Sequence, residues 1–168
     1  MNRNADPASP DALSLNESAR DELTRRGGEP DSASSPGVAL SEEAWRARLP
    51  PERYEVLRRE GTERPFSSPL YEEHRAGRFL CAGCGEELFT SRMKYDSGTG
   101  WPSFFEVPAG RLETRVDRKL FMPRTEYHCA RCGGHQGHVF DDPGSPSGKR
   151  YCNNGLALRF VPDGEPGR

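Results

Sequence analysis

The spacing of apolar and polar residues divides the chain into a polar beginning, a short helical region and a longer β-patterned region. Residues 1–37 are rich in Asp, Ser, Pro, Glu and Arg, and after Met1 their large apolar side chains are three leucines. Such a segment buries too little surface to offset the entropy lost on ordering. We expect it to be a disordered or loosely helical tail, and residues 163–168 to be a second, short tail.

Two short helices are predicted after the first tail. Ser41 is suited to cap the first helix, and the two glutamates that follow it lie where the helix dipole favours negative charge. The double proline ends this helix, Pro51 can open the second, and Gly61 would stop it. A third short helix is predicted over PLYEEHRAG, ending at Gly77. Trp45, in the first helix, is interpreted as a core residue.

From Arg78 onward the pattern becomes β-like. RFLCAGCGEELFTS is typical of a strand, a tight turn and a second strand, and RTEYHCARCGGHQGHVF repeats that design. In GLALRFV, residues 155–161, apolar side chains alternate as in a half-buried strand. We therefore predict a mainly β domain over residues 38–162, in which short N-terminal helices precede antiparallel strands joined by many loops.

Composition and charge limit the classes of function. The 168 residues carry a formal net charge of −2, whereas nucleic-acid-binding domains usually have a basic excess. No apolar run approaches the roughly 18–20 residues that cross a bilayer, and no apolar segment follows Arg3 as in a secretory signal. We expect a cytoplasmic protein with neither a nucleic acid nor a membrane as partner.

Four of the five cysteines form two C-x-x-C pairs, Cys81 with Cys84 and Cys129 with Cys132. Each pair places two thiolates on one tight turn, and two such turns supply four soft ligands for tetrahedral Zn²⁺. Two disulfides or a redox-active C-x-x-C are the alternatives, and a reducing compartment favours the metal. We predict one structural zinc ion per chain, bound by these four cysteines.

Cys152 is the one thiol outside these pairs, within the strand-like segment RYCNNG. A single buried cysteine is most often a small, inert hydrophobe. Here, however, Arg150 can stabilise a thiolate, and His135 and His138 lie upstream as metal ligands, general acids or simply turn residues. A cationic imidazole beside a thiolate lowers the cysteine pKa and can pass a proton to a substrate oxygen. A catalytic Cys–His site is therefore chemically coherent.

Five motifs follow one another along the chain: GTERPFSS, CAGC, KYDSGTGWPSFFE, RTEYHCARCGGHQGHVFDD and RYCNNGLALRF. In this order, from about Leu40 to Val161, the chain closely resembles the B-type peptide methionine-R-sulfoxide reductases. The resemblance implies two antiparallel sheets with small N-terminal helices, and a structural zinc on the C-x-x-C pairs. It also implies reduction of methionine-R-sulfoxide, free or in oxidised proteins, to methionine.

The resemblance further implies roles for individual residues. Cys152 matches the nucleophile that attacks the sulfoxide sulfur and becomes a sulfenic acid, while His135 or His138 protonates the oxygen. Trp101 matches an aromatic wall for the substrate methyl group, although a tryptophan at a β-turn is by itself more often a core residue. The other matched residues line the pocket or support the histidines and the thiolate: Phe140, Asp142, Arg150 and Asn154.

Thr99 is the main departure from the family. Many members have a cysteine at this position, and it resolves the sulfenic acid into an intramolecular disulfide. Without it, Cys152 is expected to be reduced directly by thioredoxin or another external thiol. Gln136 stands where leucine is commoner and Asn153 where an aliphatic residue is usual, and the order Asp142-Pro143-Gly144 inverts the usual Gly-Pro turn.

Two other classes of protein share part of this pattern. A non-enzymatic zinc module would use the C-x-x-C pairs to bind protein or nucleic acid, but it gives no role to Cys152 or to the histidines. A zinc hydrolase would use His135 and His138 as ligands and would leave the C-x-x-C pairs without a role. The reductase is the interpretation that uses all of these residues, and we expect it to be a monomer.

Overall fold

The computed structural model describes residues 37–165, so the prediction for the N-terminal tail falls, except at Gly37, outside the described residues. Within that range two short α-helices precede nine strands, which confirms the mainly β class. The bounds of the elements are α1 Glu42–Arg48, α2 Pro51–Arg59, β1 Gly77–Cys81, β2 Glu87–Thr90, β3 Lys94–Tyr95, β4 Ser103–Phe104, β5 Leu112–Asp117, β6 Arg124–Cys129, β7 His135–Asp141, β8 Lys149–Asn153 and β9 Leu158–Pro162. None of the described helices is long and apolar enough to cross a membrane.

The strands form two antiparallel sheets, as the family resemblance implied. One has the order β2-β1-β9, and the other has the order β3-β4-β8-β7-β6-β5. An aromatic core joins them: Phe89 of β2 stacks on Phe104 of β4 with ring centroids 3.9 Å apart, and Phe79 of β1 meets the same ring edge-on. Burying rings of this size stabilises the fold by roughly 2–3 kcal/mol each, so the two sheets depend on one another.

The two helices begin where the sequence predicted. The Ser41 hydroxyl accepts a hydrogen bond from the Ala44 backbone N–H at 3.1 Å, and Pro51 is the first residue of α2. Trp45 is 1% exposed and belongs to the core, with the Arg58 guanidinium 5.2 Å from its ring centroid. The cap and the proline therefore fix the starts of the helices, and Trp45 anchors α1.

Of the two predicted helix ends, the first is correct in position and the second is wrong. The second helix ends at Arg59 with Glu60 as its C-cap, directly before Gly61, although the left-handed residue is Glu60, with φ 57°, and the Gly61 N–H donates to the Glu55 carbonyl at 2.9 Å. The third predicted helix is a single 3-10 turn over Pro69–Glu72. Gly77 instead begins β1, where an added Cβ would lie 2.4 Å from the Val161 carbonyl oxygen. The glycine there serves close strand pairing and does not end a helix.

The predicted strand in GLALRFV is only partly correct. Gly155–Ala157 forms a 3-10 turn, and β9 starts at Leu158. The buried Glu63 carboxylate accepts hydrogen bonds from the Gly155 and Leu156 backbone N–H groups at 2.6 and 2.8 Å. Those donors are consequently lost to a strand ladder, and a side chain distant in sequence decides the local backbone.

Candidate active site and metal centre

The four paired cysteines converge, because β1 carries one C-x-x-C turn and β6 leads into the other. All four sulfurs lie within 4.8 Å of one another. The Sγ atoms of Cys81 and Cys132 are 3.7 Å apart, and those of Cys84 and Cys129 are 3.6 Å apart. In a tetrahedral site with Zn–S bonds of about 2.3 Å the sulfurs are about 3.8 Å apart. The donor set and its spacing therefore fit one zinc ion, to which each of the four cysteines would supply one sulfur ligand.

Cys152 lies on the central strand β8, next to β7, the strand that carries His135, His138 and Phe140. It is directly opposite Ser103 of β4 on one side and His138 of β7 on the other. Directly opposite residues of an antiparallel pair have Cβ atoms about 4.5–5.5 Å apart. The sheet therefore brings the thiol and one imidazole together, although they are 14 positions apart in the sequence.

A cavity of about 180 Å³ opens at Cys152. This is smaller than the roughly 300–1,000 Å³ of pockets for drug-sized ligands, and it suits one side chain. Its lining contains six of the predicted site residues, and also Thr99, where the family resemblance leads one to expect a cysteine: Trp101, His138, Phe140, Arg150, Cys152 and Asn154. His135 and Asp142 do not line it, so any part they play in the chemistry must act through a neighbour.

Arg150 is the link between Asp142 and the cavity. Its Nε lies 3.4 Å from the Asp142 carboxylate, and its guanidinium lies 4.7 Å from the Phe140 ring centroid. Asp142 is itself held by the Tyr95 hydroxyl, which donates to it at 2.6 Å, and this bond is the main cause of its lowered pKa. Despite the inverted proline–glycine order, the Asp142 side chain therefore still engages Arg150.

Glu63, from the GTERPF motif, holds two cavity residues in place. Its backbone carbonyl accepts from the Trp101 indole N–H at 3.1 Å, and its backbone N–H donates to the Asn154 side-chain oxygen at 3.0 Å. Trp101 is thus a half-buried wall of the cavity and not a core tryptophan. Burial raises the pKa of the Glu63 carboxyl, and hydrogen bonds from the turn after Asn154 oppose that rise.

A β-bulge puts His135 and His138 on the same face of β7. In a regular strand, residues three apart point to opposite faces. Here the pairing slips, so that Tyr127 faces Gly137 while His128 faces His135, and one extra residue, Gln136, is accommodated. The rings of His135 and His138 meet edge-on with centroids 5.4 Å apart. The bulge therefore places His135 behind His138.

Asp117 is a site residue that the sequence did not identify. Its buried carboxylate lies 2.9 Å from His138 Nε2 and 2.7 Å from the Arg124 guanidinium. The hydrogen bonds from the Lys119 backbone N–H and then from His138 are the main causes of a lowered Asp117 pKa, so the carboxylate is ionised and accepts a hydrogen bond from the His138 Nε2–H. Asp117 ends β5 opposite Arg124 of β6, and it contacts His138 only because the sheet forms, so the sequence alone could not identify this partner.

Opposing effects act on the pKa of the Cys152 thiol. Burial raises the pKa of the thiol, while the positive charge of Arg150 and hydrogen bonds to Arg150 and Thr99 oppose that rise. The net pKa is above the ordinary value of 9.0. The resting group is therefore a thiol at neutral pH, with its cation already in place for the thiolate.

Gln136 and Asn153, the two polar departures from the family pattern, are partners in a buried network. Asn153 donates to the Gln136 side-chain oxygen at 3.3 Å, and the Tyr127 hydroxyl donates to Asn153 at 2.7 Å. The Gln136 amide N–H also donates to the Cys81 sulfur at 3.4 Å. Asn153 therefore turns away from the thiol, and the network connects the cysteine cluster to the strand that carries Cys152.

Comparison with known proteins agrees with this arrangement. Residues 49–162 match the SelR domain family. A protein of Methanosarcina barkeri named peptide methionine sulfoxide reductase MsrB is 51% identical over 129 residues, which cover 76% of this chain and 91% of the relative. Proteins of the same name from Methanosarcina mazei and Leifsonia xyli subsp. xyli are 50% and 51% identical, covering 78% and 76% of this chain and 94% of each relative. Among solved structures, the Mis18 "Yippee-like" domain aligns with 54% of this chain and 100% of its own at a TM-score of 0.43 and 15% identity, which is too weak to bear on the fold.

The family resemblance drawn from five motifs is thus confirmed over most of the chain. The same residues that carry those motifs form the cysteine cluster and the cavity at Cys152. The chain belongs to the SelR domain family, the B-type peptide methionine sulfoxide reductases.

Proposed function

We propose that the chain reduces methionine-R-sulfoxide, free or in oxidised proteins, to methionine through a sulfenic acid on Cys152. Methionine sulfoxide reduction and repair follow from membership of the family. The mechanism and the recycling by thioredoxin or another external thiol are our proposals. A structural Zn²⁺ on the four paired cysteines is part of the same proposal, and it would cross-link the two C-x-x-C turns. That the protein is a cytoplasmic monomer, with domain boundaries at residues 38 and 162, stays a prediction.

The observation that carries the proposal is the composition of the cavity. A sulfoxide presents a methyl group, a polar oxygen and an electrophilic sulfur. The cavity offers an aromatic wall at Trp101, an imidazole at His138 and a thiol at Cys152. These are an apolar surface, a proton donor and a nucleophile, which is the set that the reaction requires.

The first step transfers oxygen from one sulfur to another. The Cys152 thiolate attacks the sulfoxide sulfur, and His138 in its protonated form gives a proton to the oxygen. The substrate sulfur–oxygen bond then breaks as the hydroxyl passes to the Cys152 sulfur, and methionine leaves as the thioether. Cys152 becomes a sulfenic acid, oxidised by two electrons, and the sulfoxide is reduced by two. Asp117 acts as a positioning residue, because its carboxylate holds His138 Nε2 and stabilises the cationic ring.

The second step returns Cys152 to the thiol. Thr99 lies beside Cys152, and the other four cysteines are gathered in the metal cluster. We infer that an external thiol attacks the sulfenic acid and releases water, and that a second thiol then cleaves the mixed disulfide.

A single-turnover experiment tests the proposal. The full chain, loaded with zinc and without reductant, is mixed with separated R and S epimers of a blocked methionine sulfoxide, and a sulfenic-acid trap is added. We expect about one methionine per chain from the R epimer alone, with the trap on Cys152, and none from Cys152→Ser. An intrachain disulfide would mean that a cluster cysteine resolves the intermediate. No product from either epimer would favour the zinc-module alternative.

The variant Thr99→Cys tests the recycling step separately. It places a second thiol beside Cys152, so one turnover should end in an intrachain disulfide between residues 99 and 152 instead of a trappable sulfenic acid. Ser97→Cys, two residues away, is the matched control and should leave the sulfenic acid trappable. If Thr99→Cys also leaves a trappable sulfenic acid, Thr99 does not occupy the resolving position.

A further inference from the structure

We propose that Glu126, His128 and His135 form a second metal site, for a divalent ion such as Zn²⁺, separate from the cysteine cluster. Glu126 and His128 belong to β6, and His135 begins β7. One ligand atom from each of the three residues lies within 4.8 Å of the others. No cysteine takes part, so the site would differ chemically from the four-thiolate site.

The cluster lies beside the β-bulge, and the bulge is what brings its three side chains together. Residues 126 and 128 are two apart on β6 and so share a face of the sheet. The bulge at Gln136 turns His135 onto that same face, where its ring meets His128 with centroids 5.3 Å apart. Without the bulge His135 would point to the opposite face, and the three side chains would not meet.

Burial leaves the imidazoles without ordinary partners. Glu126, His128 and His135 are 7%, 2% and 1% exposed. Within the described part of the chain, His128 Nε2 and both ring nitrogens of His135 are buried and make no hydrogen bond. Buried polar atoms are nearly always paired, so these unpaired nitrogens, two of them beside one carboxylate, indicate a missing ligand.

The two imidazoles approach different oxygens of the Glu126 carboxylate at distances compatible with a shared metal ion, and neither contact is a hydrogen bond. His128 Nε2 lies 3.4 Å from Glu126 Oε1, and His135 Nδ1 lies 3.4 Å from Glu126 Oε2. With zinc bonds of about 2.0–2.1 Å, ligand atoms of a tetrahedral site are about 3.3–3.4 Å apart. Two imidazoles and a carboxylate are also a recurrent zinc donor set, which leaves a fourth position for water.

Neighbouring groups are compatible with a bound cation. His138, the next ring along, is held by Asp117 and is not needed as a ligand. His128 Nδ1 lies 3.1 Å from the Gly133 carbonyl, which orients the ring so that Nε2 faces Glu126.

The experiment counts metal ions on the folded, zinc-loaded chain. The protein is equilibrated with excess Zn²⁺, freed of loosely bound metal with a chelator of intermediate affinity, and analysed for zinc per chain. We expect two equivalents for the natural chain and one for His128→Gln. His74→Gln is the matched control, because His74 is an exposed histidine 3.7 Å from Glu72, and it should keep two equivalents.

X-ray absorption of the natural chain supplies a second readout that needs no variant. The equivalent added beyond the first should show nitrogen and oxygen neighbours with imidazole scattering and no sulfur. Glu126→Gln should lose this equivalent if His128→Gln fails to fold. One zinc per chain in the natural protein, or a second equivalent that survives both cluster variants, would overturn the proposal.

Discussion

The substitution Gly137→Ala tests most directly how strand pairing sets the catalytic geometry. Gly137 lies on β7, opposite Asn153 and adjacent to the opposed pair of His138 and Cys152. A Cβ added at Gly137 would lie 1.9 Å from the Cys152 carbonyl oxygen and 2.9 Å from its carbonyl carbon. Both are backbone atoms, so no side chain can rotate away to relieve the clash.

The size of the effect follows from that distance. To bring the 1.9 Å approach to van der Waals contact, β8 must retreat from β7 by more than about 1 Å. Overpacking of this kind costs about 1–3 kcal/mol of the free energy of unfolding. A displacement of about 1 Å between reacting groups can lower a rate about 100-fold. We therefore expect a folded but less stable protein with a strongly impaired first step.

The assay is the single-turnover rate with saturating methionine-R-sulfoxide, measured beside urea unfolding of the same sample. Gly37→Ala is the control, because its added Cβ would lie 3.7 Å from the Arg131 carbonyl oxygen, an ordinary contact. It should change the rate less than about twofold and the free energy of unfolding by less than about 0.5 kcal/mol. A Gly137→Ala protein with a rate within twofold of the natural chain would refute the link between strand spacing and catalysis.

Four further predictions concern the thiol, the histidine, the polar network and the metal. Because burial raises the pKa of Cys152 and the thiolate is the reactive form, the rate at which iodoacetamide alkylates Cys152, followed by mass, should rise with pH through 9, and Arg150→Met should move that rise to higher pH; an alkylation rate independent of pH between 7 and 10 would contradict this. Asp117→Asn should lower kcat about 10–100-fold with KM within about twofold, because the amide stabilises protonated His138 less than the carboxylate does. If the contact is only structural, steady-state kinetics at several pH values would show an unchanged kcat. Gln136→Leu and Asn153→Val should each cost about 1–3 kcal/mol, and the double variant should cost less than their sum by more than about 0.5 kcal/mol in urea unfolding, whereas strict additivity would mean that the two amides do not interact. Removal of metal by a strong chelator should abolish cooperative thermal unfolding in calorimetry, because the four sulfurs repel or must be protonated without it; an unchanged Tm would argue against a structural ion.

Much of the site could be predicted because its residues lie in short local sequence motifs. Two C-x-x-C pairs identify a four-thiolate cluster from local sequence alone, and this assignment leaves Cys152 as the one remaining thiol. The starts of the helices could also be predicted from local sequence, since a serine cap and a proline at the first helical position act within one turn of the helix. Family motifs then indicated Trp101 and His138 for the cavity, and both line it.

Other features of the site were not predictable, because they depend on pairing between distant segments. The spacing of His135 and His138 does not reveal that a bulge turns both onto one face. Asp117 meets His138 only because β5, β6 and β7 are neighbours in the six-stranded sheet. No local pattern distinguishes such a partner from an ordinary solvent-exposed charge.

The sequence by itself determined the family, the four-cysteine cluster, the one thiol outside that cluster and the absence of a cysteine at Thr99, since each depends on residue type and local order. The tertiary structure alone decided which histidine lines the cavity, what holds it, and how Gln136 and Asn153 compensate one another. It also decided where β9 begins, because the Glu63 carboxylate takes the Gly155 and Leu156 N–H groups and the strand starts only at Leu158. Burial, register and hydrogen-bond partners arise only when strands far apart in the chain are brought side by side.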